Sequence, residues 1–150
     1  MQPVAHRQHH GFTLIELMVA VVIVGILAAV AYPNLISYVQ RSRRADAVAE
    51  LTSIVQAQER YRSNNSAYAS ALATVGFSGA TKYYDFTLES VSEPAFVAGY
   101  QVTARPKSDS AQAGDAENCA TLSVRLEGSV FKYLATGSSD RVTSDLCWPR

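Results

Sequence analysis

The chain has 150 residues, 48% of them hydrophobic and 17% charged, where an average soluble domain carries about 25% charged residues. Thirteen Lys and Arg balance thirteen Asp and Glu, which excludes a strongly basic nucleic-acid module as the first reading. Two cysteines and three histidines are too few for a zinc cluster, and the length leaves room for one domain with an appendage.

The missing charge is concentrated in one place. Leu17 to Gln40 is a run of 24 residues without Asp, Glu, Lys or Arg. As a helix it is about 36 Å long, enough to cross a bilayer core of roughly 30 Å. Its centre, Leu17 to Val30, is almost all Leu, Ile, Val, Ala and Met, with Gly25 as the one breaker. It has no amphipathic period, so it must be surrounded by lipid or by other helices. Three readings compete. Ala28-Ala29-Val30-Ala31 could serve as a signal-peptidase site, but Met1 to His10 holds only Arg7 as a firm charge. A plain signal anchor meets a different difficulty: Arg41, Arg43 and Arg44 follow the run, and by charge bias the C-terminal part would stay in the cytoplasm.

The third reading rests on Gly11-Phe12-Thr13-Leu14-Ile15-Glu16, which puts a carboxylate at the mouth of an apolar helix. No Lys or Arg lies within a turn or two of Glu16. An ionisable group in an apolar span is costly and needs a partner. Cleavage after Gly11 would create an ammonium on Phe12, which Glu16 of a neighbouring copy could meet.

Gly11-Phe12-Thr13-Leu14-Ile15-Glu16-Leu17-Met18, then Gly25-Ile26-Leu27-Ala28-Ala29 and Tyr32-Pro33, resembles the class III signal of type IV pilins. The resemblance implies cleavage after Gly11 by a prepilin peptidase, N-methylation of Phe12, and a role for Glu16 in subunit registration. It divides the chain into a leader at 1–11, an apolar membrane and filament-core helix at 12–36, and a globular domain at 37–150. His6, His9 and His10 would leave with the leader. It also implies a single-pass prepilin in the inner membrane of a Gram-negative bacterium, with the domain periplasmic, and later an extracellular fibre. One helix from Phe12 to about Arg62 is expected, loosened in assembled fibres between Gly25 and Pro33. From the residues alone, Pro33 removes a donor and should kink it.

Beyond Pro33, Val48, Leu51, Val55 and Gln58, with Ile54 and Tyr61 alongside, recur at three and four residues, the pattern of a helix with one face to a core. Arg43 with Asp46, and Glu59 with Arg62, are spaced to pair across a turn. Asn64-Asn65-Ser66 reads as a stop. Residues 67–82 form a connecting loop anchored by Tyr68, Leu72, Val75 and Phe77. Strand alternation then appears at Tyr84–Glu89, Ala98–Arg105 and Ala120–Leu126, with a fourth stretch at Val130–Leu134. Ser92-Glu93-Pro94 and Glu127-Gly128 break between them, and Lys107 to Asn118 is expected to be a long exposed loop. The fold class is α+β: a long N-terminal helix on an antiparallel sheet of three or four strands, with a C-terminal region that the resemblance closes by a disulfide.

The resemblance places Cys119 and Cys147 outside the cytoplasm, where oxidation favours pairing. The bridge would tether Gly137 to Asp145. The ending Cys147-Trp148, with Gln58-Glu59-Arg60-Tyr61 and Gln112-Ala113-Gly114-Asp115, is similar to PilE-type minor pilins. Trp148 is expected to cover the sheet edge.

After processing no histidine remains, so Ser–His–Asp and Cys–His catalysis is excluded for the mature chain. There is no phosphate-binding glycine loop. Asp109, Asp115 and Glu117 share a polar loop, but calcium wants six to eight oxygens, and a solvated acidic loop is the better reading. No cofactor, no metal and no enzymatic role is expected. The function implied is a minor pilin, assembled with other pilins by the prepilin peptidase-methyltransferase and inner-membrane assembly proteins, held by lipid beforehand, and serving motility, adhesion and DNA uptake. Two alternatives stand beside it: a type II secretion pseudopilin, and a competence pilin that captures DNA directly. Against direct capture, residues 45–150 hold nine Lys and Arg and twelve Asp and Glu. Lys82, Arg105, Lys107, Lys132 and Arg141 would have to cluster in space.

Overall fold

A computed structural model describes residues 12–91, 93–115, 119–137 and 147–148. The expectations for the leader, including Gly11, and those for Glu117, Asn118, Arg141 and the tethered stretch 138–145 lie outside the described residues. The chain divides into two units, residues 1–38 and 39–150.

One helix, α1 (Leu14–Arg62, 49 residues), runs through both units. Thr13 caps its start: the Glu16 amide donates to Thr13 Oγ1 at 3.3 Å. Thr13 and Glu16 have the spacing of a capping box, and a carboxylate in the first turn is favoured by the helix dipole. The helix continues through Gly25 and Pro33 without interruption. In the first unit every residue from 12 to 38 is exposed.

The second unit begins on the same helix. Its buried positions are Ala47, Leu51, Ile54, Ala57 and Gln58: Leu51, Ile54 and Gln58 are as expected, Val48 and Val55 are half-buried flanks packed on the core, and Ala47 and Ala57 are added. Neither expected turn-spanning ion pair forms among the described residues. Arg43 instead lies over the Tyr83 ring. Arg62 donates to the Asn65 carbonyl at 2.6 Å and sits over Tyr68.

The fully buried Gln58 holds the incoming loop. Its Nε2 donates to the Ala69 carbonyl at 3.1 Å, and the Ala69 amide donates back to Oε1 at 2.9 Å. Both ends of a buried amide are thereby satisfied, which burial requires. A short 3-10 turn, Leu72–Val75, follows.

Four strands make an antiparallel meander in the order β1 (Tyr84–Ser90), β2 (Gly99–Pro106), β3 (Thr121–Glu127), β4 (Val130–Thr136). All four expected stretches are present, the fourth included. Phe86 faces Ala104, Val102 faces Val124, and Leu122 faces Ala135 across the ladders. These residues, with Tyr100 and Leu126, form the core against α1. The opposite face is a hydroxyl ladder, with Thr103 to Ser123 at 3.0 Å and Thr121 to Thr136 at 2.6 Å. Gly99 opens β2 where no side chain fits: a Cβ there would sit 2.2 Å from the Leu126 carbonyl oxygen.

Cys119 and Cys147 are bonded, with Cα atoms 5.8 Å apart. Trp148 lies on the β4 edge. Its Nε1 donates to the Leu134 carbonyl at 2.9 Å, and its ring stands edge-on to Tyr133 at 5.1 Å.

The loop between β2 and β3 departs from expectation. Gln112 and Asp115 are buried, not solvated. Asp115 pairs with Arg44 of α1 at 3.3 Å, the two side chains being 5% and 11% exposed. Gln112 Nε2 donates to Asp115 at 2.8 Å and to the Gln40 carbonyl at 3.3 Å, and Arg44 also reaches Cys119 Sγ. Asp115 is therefore spent on internal structure, while Asp109 of the same loop is exposed as expected. A guanidinium on the facing helix supplies the counter-charge that makes burial of a carboxylate tolerable. Burial still pushes the Asp115 carboxyl above its usual range, against the opposing pull of Arg44 and Gln112.

Candidate functional site

Two surfaces carry functional side chains, one in each unit. The first is the bare helix. An 18-residue window of α1 has a mean hydropathy of 2.8, and none of it is buried. Leu14, Ile15, Val22, Val24 and Ile26 are among its large exposed residues. At roughly 25 cal/mol per Å² of apolar surface, so much greasy area is not left in water. Glu16 is exposed in the first turn of this rod, and it makes no ion pair among the described residues. The Thr13 cap engages the Glu16 amide, and an acid in the first turn is favoured by the helix dipole.

The second surface is a depression of about 420 Å³ lined by Arg43, Lys82, Tyr83, Lys107, Asp109, Ser110 and Ala111. Arg43 comes from α1, one turn before Ala47 on the domain-facing side. Lys82 and Tyr83 come from the end of the connecting loop, and Lys107 from the end of β2. The Arg43 guanidinium lies 4.3 Å from the centre of the Tyr83 ring, and Lys82 Nζ lies 5.1 Å from it. Hydrogen bonding to Lys82 is the largest of the effects that hold the Tyr83 phenol below its usual range. The charges of Lys82 and Arg43 act the same way. Lys107 meets Asp85 at 3.6 Å, an exposed contact of little strength. Its amide donates to the Tyr83 carbonyl at 2.9 Å, which fixes the rim.

Of the five basic residues singled out in the sequence, the structure brings Lys82 and Lys107 together. Arg105 lies instead among the polar residues of the outer sheet face. Lys132 is bound to Glu127 at 2.6 Å, and Glu127 also pairs with Arg125. The residues missed were Arg43 and Tyr83. The signal for Arg43 was its place four residues before Ala47, on the stripe through Leu51, Ile54 and Gln58. Arg44, grouped with it in the sequence, is buried with Asp115 and cannot serve an external anion. No group of three or more metal-ligating side chains is present among the described residues.

A capped apolar rod, continued into a helix packed on a four-stranded meander and closed by a C-terminal disulfide, is the architecture of a type IV pilin. Residues 33–123 match the family model described as type IV minor pilin ComP, DNA uptake sequence receptor, and residues 6–32 match the prokaryotic N-terminal methylation motif. The chain belongs to the ComP family of type IV minor pilins. It is 35% identical over 99 residues to the type IV wide pilus major component PilA4 of Thermus thermophilus, covering 63% of this chain and 76% of that one. It is 41% identical over 70 residues to the type IV major pilin PilA of Myxococcus xanthus, covering 47% and 32%. It is 40% identical over 62 residues to the type II secretion system core protein G of Vibrio cholerae, covering 41% and 42%. The chain thus spans less than half the length of two of these relatives and about three quarters of the Thermus protein. No solved structure matches.

Proposed function

We propose that the chain is a fibre subunit: a prepilin cut after Gly11, methylated on Phe12, held in the inner membrane by residues 12–36 and then packed with other pilins into a type IV pilus. The observation that carries this is the unbroken exposure of residues 12–38 on an apolar helix. Lipid satisfies that surface in the membrane, and sister helices satisfy it in the fibre, where close packing replaces lipid contacts. The match to the methylation motif supports the processing step. Glu16 then sets register against the Phe12 ammonium of a neighbour, and the break-prone pair Gly25 and Pro33 gives the helix room to loosen as it packs. The test is Glu16→Val. Membrane insertion and processing should persist, while incorporation into sheared surface fibres should be abolished. Incorporation at the wild-type level would refute the role of Glu16.

DNA capture is a second reading, favoured by the pocket of Arg43, Lys82 and Lys107 together with the description of the matching family. The net charge of residues 45–150 conceals this local concentration of cations. Phosphate contacts of this kind lose affinity as salt rises, with a slope near one per contact. A gel shift of the chain on duplex DNA should show binding that weakens with salt, and Lys82→Gln should flatten the slope by about one. Binding that is indifferent to Lys82→Gln and Lys107→Gln would reject the pocket as the DNA site.

A further inference from the structure

The basic pocket has a second property that depends on where it lies along the chain. Arg43 is three residues past Gln40, the last residue of the charge-free run, which is about 5 Å along a helix axis. Tyr32 and Tyr38 stand exposed at the end of that run, and tyrosine concentrates at the headgroup level of bilayers. Of the three arginines that follow, Arg44 is consumed by Asp115, Arg41 is exposed outside the pocket, and Arg43 is turned toward Lys82, Tyr83 and Lys107. Three cations, the Ser110 hydroxyl and Asp109 line a depression of about 420 Å³; Asp85 meets Lys107 from its side, and Asp46 and Glu50 lie in the adjoining depression shared by Arg43 and Lys82. Lys82 and Lys107 are far from the run in sequence, yet the fold delivers them beside Arg43.

From this geometry we infer that, while the subunit is held in the membrane, the pocket formed by Arg43, Lys82 and Lys107 takes the phosphate of an anionic phospholipid headgroup. Charge complementarity and continuity with the membrane-crossing run identify the occupant. A zwitterionic headgroup brings its own ammonium and gains little from three cations, whereas an anionic one gains from each. The site would anchor the domain at the bilayer surface and would be vacated when the helix leaves the lipid for the fibre. This inference does not depend on DNA binding, since it concerns the same cations before assembly.

The test uses the full chain reconstituted in phosphatidylcholine bilayers with trace spin-labelled phosphatidylglycerol or phosphatidylcholine. The fraction of motionally restricted label gives the relative association of each lipid with the protein. Phosphatidylglycerol should be preferred several-fold, on the basis of roughly fivefold per basic residue near the surface. The combined Arg43→Gln, Lys82→Gln and Lys107→Gln chain should lose most of that preference, and Arg41→Gln should keep most of it. Trp148 fluorescence reports whether the combined variant is folded. The single change Lys82→Gln on the exposed loop, and a salt titration of the wild type, provide the same reading without it, each lowering the preference. The inference is overturned if the wild type shows no preference, or if the combined or Lys82→Gln variant retains all of it. It is also overturned if a low concentration of inorganic phosphate at constant ionic strength abolishes the preference, which would assign the pocket to free phosphate.

Discussion

Replacing Arg44 by Met should be among the most damaging single changes in the domain. The side chains of Arg44 and Asp115 are 11% and 5% exposed, and they meet at 3.3 Å. Removing the guanidinium leaves a carboxylate out of water with, among the described residues, Gln112 Nε2 to donate to it. Breaking one side of a buried pair costs about 3–5 kcal/mol. The lower end applies here, since the Gln112 contact survives and protonation of Asp115 offers partial relief. About 3 kcal/mol is a large part of a typical domain stability of roughly 5–15 kcal/mol. At roughly 4 °C per kcal/mol for a domain of this size, the melting temperature should fall by about 12 °C. The assay is thermal unfolding of the oxidised chain in detergent, followed by near-ultraviolet dichroism. The double change Arg44→Met with Asp115→Asn should recover more than half of the loss, because no orphaned charge remains. Acidification supplies a second signature. Burial raises the folded-state pKa of Asp115 above its ordinary 3.8, so the folded state takes up a proton before the unfolded chain does. The cost of that carboxylate is present above the raised pKa and is relieved as pH falls through it toward 3.8. Arg44→Met should therefore lose less at mildly acidic pH than at neutral pH. A drop of only a degree or two, or strictly additive effects in the double variant, would refute the buried-pair account.

Cys147→Ser should lower stability by about 3.6 kcal/mol, the chain-entropy value for a loop of this length, and unchanged protein levels with an unchanged melting temperature would contradict it. Gly99→Ala should cost more than about 2 kcal/mol in a denaturant titration, because the new Cβ would lie 2.2 Å from the Leu126 carbonyl oxygen and 2.8 Å from Val91 Cγ2. Gly25→Ala meets nothing within 4 Å and should leave the domain's unfolding midpoint unchanged. Glu127 behaves oppositely to Asp115. Its carboxyl is held below the usual range, chiefly by the hydrogen bond from Lys132. What it contributes is present above the unfolded-state pKa and fades as pH falls through the lowered folded value, and Lys132→Gln should weaken that dependence while Arg125 keeps part of it.

What could be read from the sequence was what repeats locally. The apolar run, the three-and-four spacing through Leu51, Ile54 and Gln58, and the alternation in each strand report one residue's environment through its neighbours, and the helix and all four strands follow from them. Leu51, Ile54 and Gln58 are buried as expected, while Val48 and Val55 are half-buried flanks and two fully buried positions fall to Ala47 and Ala57. Which flank of the stripe is covered depends on the sheet packed against it, and helical spacing does not encode that. The burial of Asp115 was invisible for a related reason: its counter-ion, Arg44, lies far back along the chain, and a stretch such as Gln112-Ala113-Gly114-Asp115 is polar however it is used. The basic pocket was half legible. Lys82 and Lys107 were named as candidates, while Arg105 and Lys132 could be separated from them only once strand parity and the Glu127 pairing were known.

The central claim is that the apolar head of α1 exists to be freed of its leader and packed among sister helices. Mass spectrometry of surface fibres sheared from the cells that make this protein tests it most directly. The account predicts the chain in those fibres with its first residue an N-methylated Phe12. Recovery of a chain that still begins at Met1, or of a processed chain found only as a monomer outside the fibres, would contradict it.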